Sequence, residues 1–137
     1  VTTKGRHCVI VGASRIVGAP MSLMMVEQGQ STVTICQKFT RDLAEYTRRA
    51  DILIVAVGKP GLVTEDMVKS GAVVIDVGIT RIPDSTKKSG FRLSGDVDFK
   101  NIAPKCSFIT PVPGGVGPLT IASLLLNTLK AYEQQHT

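Results

Sequence analysis

The segment that decides the fold reads Cys8-Val9-Ile10-Val11-Gly12-Ala13-Ser14-Arg15-Ile16-Val17-Gly18. Four apolar residues of strand character stop at a glycine, and helical spacing takes over across residues 20–28. A strand that breaks at glycine and feeds a helix is the opening of a βαβ unit. Gly12 supplies the tight turn, Ser14 stands where a second glycine usually lets backbone approach a diphosphate, and Gly18 sits near the position that permits close helix-to-strand packing. Serine takes more space than glycine but adds a hydroxyl, and the free N–H groups that open a helix attract phosphate. Taken alone, the same turn is equally readable as a glycine corner with no ligand.

Outward from this turn, apolar runs of strand length recur at residues 8–11, 32–36, 52–57, 73–77 and 107–109. They are nearly continuous and rich in β-branched residues, as strands covered on both faces require. Helical spacing fills residues 20–28, 42–49, 65–69 and 119–135. Alternating strand and helix predict a single α/β domain of Rossmann type, a doubly wound and mainly parallel sheet. Right-handed crossovers then put the ligand crevice at the carboxyl ends of the strands, in the loops after Val11, Cys36, Val57, Val77 and Thr110. Residues 85–90, Ser-Thr-Lys-Lys-Ser-Gly, read as a solvated surface loop, and Thr64 reads as an N-cap.

Composition agrees with one folded domain. The 137 residues are 43% hydrophobic and 20% charged, enough for a core without disulfides or a structural metal. Cys8, Cys36 and Cys106 read as unpaired, buried thiols of a reducing compartment. No metal site is expected, because the sequence has no C-x-x-C and its two histidines, His7 and His136, lie near the termini. No apolar stretch approaches membrane-spanning length, and the first residues have no signal-peptide core. The net charge of +5 is dispersed and accompanied by no aromatic stacking platform. It fits a phosphorylated cofactor or polyanionic substrate at least as well as nucleic acid, for which no motif is present.

At the end of the second run, where an NAD site usually carries Asp or Glu for the ribose, the sequence reads Cys36-Gln37-Lys38. Lys38, with Arg41, is placed to meet a 2′-phosphate, which favours NADP; a merely solvated Lys38 leaves NAD as the alternative.

Five segments together carry a resemblance: Val-Gly-Ala-Ser-Arg-Ile-Val-Gly-Ala-Pro (11–20), Ala-Asp-Ile-Leu-Ile-Val-Ala-Val-Gly-Lys-Pro-Gly (50–61), Val-Ile-Asp-Val-Gly-Ile (74–79), Gly-Asp-Val-Asp-Phe (95–99) and Thr-Pro-Val-Pro-Gly-Gly-Val-Gly-Pro-Leu-Thr (110–120). The chain resembles the NAD(P)-binding domain of the methylenetetrahydrofolate dehydrogenase/cyclohydrolase family. The last segment is the most specific, since generic Rossmann packing demands no such proline-glycine loop ahead of a helix. Pro111 and Pro113 stiffen it, while Gly114, Gly115 and Gly117 let backbone press against a flat ligand.

The resemblance implies hydride transfer from 5,10-methylenetetrahydrofolate to NADP, followed by hydrolysis of the methenyl product. Carried over by position, Ser14, Arg15, Ile16 and Val17 contact diphosphate and ribose, and Val57, Gly58 and Pro60 the adenosine side. Val77, Gly78 and Ile79 hold the nicotinamide amide through backbone groups, and Thr120 offers a hydroxyl to the ligand. The 110–117 loop, with Pro111, Pro113, Gly114, Gly115 and Gly117, lies next to the folate substrate. Family members carry Arg at the position of Ala13, His-Ser at Gln37-Lys38 and Asn at Thr80.

The same resemblance places the Tyr and Lys that act on folate in a separate N-terminal domain, which is expected to be absent from residues 1–137. No catalytic residue is therefore assigned here, and Asp76 and Asp96 read as structural hydrogen-bonders. Expected partners are the folate substrate through that missing domain and a second copy of the chain, since Leu124, Leu125, Leu126, Leu129 and Tyr132 would form an exposed patch. The expected location is the cytoplasm, with the mitochondrion as the alternative. A second reading makes the chain a nucleotide-binding or regulatory module without turnover, and a third the Rossmann half of another two-domain dehydrogenase, against which the proline-glycine loop argues.

Overall fold

The first strand, β1 (His7–Val11), pairs in parallel with both β2 (Thr32–Cys36) and β3 (Ile52–Val55). The computed structural model describes residues 1–136, and β1 lies inside a five-stranded parallel sheet. With β4 (Val73–Asp76) and β7 (Phe108–Ile109), the strand order is β2-β1-β3-β4-β7. The chain thus reverses its direction of strand addition between β1 and β3. In an open α/β sheet, ligands bind at that switch.

Helices cover the two faces unequally. On one, α2 (Leu43–Thr47), a 3-10 turn (Glu65–Met67) and α3 (Phe99–Ile102) lie over a core of Val9, Val11, Leu53, Val55 and Val74, which Val63, Val97 and Ile102 complete. On the other, α1 (Gly18–Glu27) sets Met21 and Met25 on Cys8, Ile10, Ile52 and Ile54. β3 is buried along its whole length, as the expectation of two covered faces requires. The expectation fails at β4 and β7. Val73 and Ile75 are only half-buried and Phe108 is exposed, because beyond α1 this face has little to cover it.

Two further departures bear on the site. Of residues 65–69, only Glu65–Met67 form a 3-10 turn, and the Thr64 side chain bonds the Asp66 carboxylate instead of capping backbone. Residues 80–94 form an antiparallel hairpin, β5 (Thr80–Pro83) with β6 (Phe91–Ser94), whose tip is the solvated stretch 85–90. The last helix, α4 (Val116–His136), has no buried residue, and Leu124, Leu125, Leu126, Leu129 and Tyr132 are all exposed. Among the described residues, no helix is long and apolar enough to cross a membrane.

Candidate functional site

The loops that leave β1, β3 and β4 meet on one rim. Gly12 holds φ at +112°, a region L side chains rarely enter, and a Cβ built on it would lie 2.2 Å from the Ala56 carbonyl oxygen. Backbone is therefore pressed on backbone at the switch point, and only glycine fits. Gly18 is as tightly placed: its Cβ would fall 1.8 Å from the Gly12 carbonyl oxygen, which brings the start of α1 down onto the turn.

Between them, Ser14 Oγ accepts from the Val17 N–H at 3.1 Å, and the Ser14 carbonyl accepts from the Ala19 N–H at 2.9 Å. The serine hydroxyl thus caps the turn, as a helix-opening serine does. Among the described residues, the N–H groups of Ala13, Ser14, Arg15 and Ile16 reach no protein acceptor. Arg15 and Ile16 are exposed above them.

Lys38 lies beyond β2 on the same rim, with its ammonium 4.7 Å from the centre of the Phe39 ring. The loop is shaped by its own polar side chains: the Gln37 N–H donates to Thr40 Oγ1 and the Phe39 N–H to Gln37 Oε1. The residues that directly follow β2, Gln37 and Lys38, include no carboxylate.

The β3 and β4 exits are held from below by two buried carboxylates. Asp96, fully buried, accepts through Oδ2 from the N–H groups of Val57 (2.7 Å) and Gly58 (2.9 Å). Asp76, 3% exposed, accepts from Gly78 and Asp96 through Oδ1 and from Val97 through Oδ2. The Asp76 N–H itself donates to Thr110 Oγ1 at 2.8 Å, which anchors the start of the proline-glycine loop. Burial pushes the Asp76 carboxyl above its ordinary value, and the neighbouring Asp96 charge adds to the rise while the backbone donors oppose it. Both residues are hydrogen-bonders, as read from sequence. What sequence reasoning missed is that they tie separate loops together, and the signal was a glycine close to each, Gly78 two residues after Asp76 and Gly95 next to Asp96. A Cβ on Gly78 would lie 2.2 Å from the Asp96 carboxyl carbon, and one on Gly95 would lie 2.0 Å from Asp76 Oδ2.

A largely apolar cavity of about 490 Å³ opens where β4 and the proline-glycine loop meet. Val77, Gly78, Ile79, Pro111, Pro113, Gly114, Gly115, Gly117 and Thr120 all line it, so nine of the sequence-identified positions converge there. Gly12, Ser14, Arg15, Ile16, Val17, Lys38, Val57, Gly58 and Pro60 do not line it and lie along the rest of the rim. The peptide Val112–Pro113 is cis. Thr120 is placed differently from expectation: α4 begins at Val116, ahead of residue 119, and the Thr120 hydroxyl bonds back to the Val116 carbonyl at 3.1 Å. Another groove, about 390 Å³, lies by Arg6, Asp51 and Lys69 at the amino ends of the strands, away from this rim.

The cysteine reading holds for Cys8 and Cys36, which are free and buried; Cys106 is free but only partly buried. Among the described residues no cluster of three His, Cys, Asp or Glu side chains is arranged to hold a metal.

Comparison with known proteins agrees with this geometry. The family model described as tetrahydrofolate dehydrogenase/cyclohydrolase, NAD(P)-binding domain, matches residues 1–136. The bifunctional protein FolD of Cytophaga hutchinsonii is 63% identical over 134 residues, covering 96% of this chain and 46% of that protein. The chain therefore spans about half the length of the curated relatives it matches. Among solved structures, the Trypanosoma brucei methylenetetrahydrofolate dehydrogenase-cyclohydrolase, described as complexed with NADP cofactor and inhibitor, superposes with a TM-score of 0.92 at 41% identity, covering 98% of this chain and 46% of that one. The Campylobacter jejuni bifunctional enzyme gives 0.89 at 49% identity, covering 98% and 45%. By its motifs, its sheet order and these matches, the chain belongs to the tetrahydrofolate dehydrogenase/cyclohydrolase family and corresponds to the family's NAD(P)-binding domain.

Proposed function

We propose that the rim binds NADP in extended form and that the chain is the cofactor half of a bifunctional methylenetetrahydrofolate dehydrogenase/cyclohydrolase. The observation that carries this reading is the Gly12 turn. Its backbone is pressed against Ala56, leaving the N–H groups of Ala13 to Ile16 open to an anion at the start of α1. The residues fit the group: a diphosphate takes the open amides, and Ser14, Arg15, Ile16 and Val17 flank it. Val57, Gly58 and Pro60 border the adenosine side.

Lys38 reads the 2′-phosphate, which an NAD-type carboxylate at that position would repel; NAD is the second cofactor the site admits. The nicotinamide ring lies in the apolar cavity, with Val77, Gly78 and Ile79 on one side and the 110–117 loop and Thr120 on the other. Bound there, the cofactor supplies hydride acceptance from the methylene carbon of the folate. The chain's own part is to orient the ring and exclude water, which requires no general base of its own.

The folate, and the residues that act on it, belong in this proposal to an N-terminal half like that of the family. The exposed leucines of α4 are the surface for that half or for a second copy of the chain. The free thiols agree with a cytoplasmic setting.

The discriminating experiment joins this chain to the folate-binding half of a relative and follows reduction of NADP at 340 nm with methylenetetrahydrofolate. Turnover supports the enzyme reading. Cofactor binding without turnover in a correctly folded fusion supports the non-catalytic module.

A further inference from the structure

Beneath the cavity lies a feature that loop anchoring does not exhaust. Asp76 and Asp96 are 3% and 0% exposed, and among the described residues no Lys or Arg forms an ion pair with either. Five backbone N–H groups reach them, three on Asp76 and two on Asp96 Oδ2. Among the described residues, Asp96 Oδ1 has no protein hydrogen-bond partner. Such a buried, half-satisfied carboxylate is costly, and native proteins keep one where something repays it.

The position says what that is. Asp76 lines the cavity itself, and the Asp96 carboxylate fills the space where a side chain on Gly78, another lining residue, would stand. Negative charge therefore sits in the cavity wall at Asp76 and one residue behind it at Asp96. In an apolar, partly enclosed site its field is screened far less than at a surface.

We propose that the Asp76–Asp96 pair sets the charge preference of this cavity, so that it takes a cationic flat ring more tightly than the neutral ring of the same shape. This rests on the reading of the cavity as the nicotinamide site. There the oxidised ring carries a positive charge and the reduced ring none. The pair then acts as a positioning group with an electrostatic share: its oxygens hold the 57–58, 78 and 96–97 backbone, and its charge favours the oxidised cofactor. Of the two, Asp76 borders the cavity and Asp96 stands behind its wall.

The test measures binding of NADP⁺ and NADPH to the chain by calorimetry, for the wild type and for Asp96→Asn. The amide still offers an oxygen to the N–H groups of Val57 and Gly58 but removes the charge. NADP⁺ is expected to weaken about tenfold more than NADPH, which corresponds to about 1.4 kcal/mol. Equal weakening of both forms reduces Asp96 to a loop anchor and overturns the proposal. Failure of the wild type to bind either form refutes the cofactor reading itself, and the proposal with it. Should Asp96→Asn not fold, Asp76→Asn carries the same comparison of NADP⁺ against NADPH, although it also gives up one backbone acceptor, which weakens both forms alike; in either case, tighter binding of NADPH than of NADP⁺ by the wild type overturns the proposal outright.

Discussion

Gly12→Ala is a substitution whose cost the structure resolves into a dihedral part and a contact part. Two terms add. Holding alanine at a φ of +112° costs roughly 1–3 kcal/mol. The new methyl would also stand 2.2 Å from the Ala56 carbonyl oxygen, more than an ångström short of ordinary contact. No flexible side chain can give way there, because the obstruction is backbone. Moving it strains the bond from the Ala56 N–H to the Val11 carbonyl, 2.8 Å long, at a further cost of about 0.5–1.5 kcal/mol.

The sum is roughly 1.5–4.5 kcal/mol. Gly58→Ala is the internal control: it also has positive φ, at +69°, but its Cβ would meet nothing within 4 Å. It should lose only the backbone term, about 1–2 kcal/mol. Urea unfolding followed by far-UV circular dichroism, with both variants compared at equal slope, reads the difference. A Gly12→Ala variant no less stable than Gly58→Ala would refute the claim that backbone contact at the switch point, and not the dihedral alone, demands glycine.

Lys38→Ala should weaken NADP by about 1–3 kcal/mol and leave NAD unchanged, as calorimetry with both nucleotides would read; equal losses would deny Lys38 the 2′-phosphate. At the far end of the sheet, a hydrogen bond from Lys69, helped by the His7 N–H, holds the Asp51 carboxyl below its ordinary value. A carboxyl depressed in the folded state stabilises above its unfolded value and loses that contribution as pH falls through the folded one. Lys69→Met should therefore cost up to about 1 kcal/mol at pH 7, discounted because the pair is partly exposed, and the difference from wild type should vanish in acid. A deficit that persists after Asp51 is protonated would point to lost packing instead. Among the thiols, burial pushes Cys8 up to about 11. At pH 8 a disulfide-exchange reagent should label the partly buried Cys106 well before Cys8 or Cys36, and mass spectrometry of timed samples would expose any other order.

Much of the sheet was legible because buried parallel strands leave continuous β-branched runs, and β2 was read to its exact ends. The Gly12 turn was legible because its geometry tolerates few residue types. The hairpin Thr80–Ser94 was not, since its strands alternate over four residues each and one ends in proline, too short a pattern to separate from loop. The start of α4 was read late because Gly117 and Pro118 look like helix breakers. In a first turn, however, the N–H groups have no intrahelical partner, so proline is tolerated there. The half-open face at Val73, Ile75 and Phe108 was invisible for a different reason: sequence marks a residue as apolar but does not say what covers it. In the site, the residue types around the cavity were readable from the proline-glycine loop. The knot formed by Asp76 and Asp96 joins residues 20 and 39 positions apart and becomes visible only in three dimensions.

The account depends most on the grip of the rim on a dinucleotide, and titration calorimetry of NADP into this chain, followed by a crystal structure of the mixture, tests that grip directly. The account predicts saturable heat and a diphosphate within hydrogen-bond distance of the N–H groups of Ala13 to Ile16. No heat at millimolar nucleotide, or a nucleotide seated in the groove beside Arg6, Asp51 and Lys69, would contradict it.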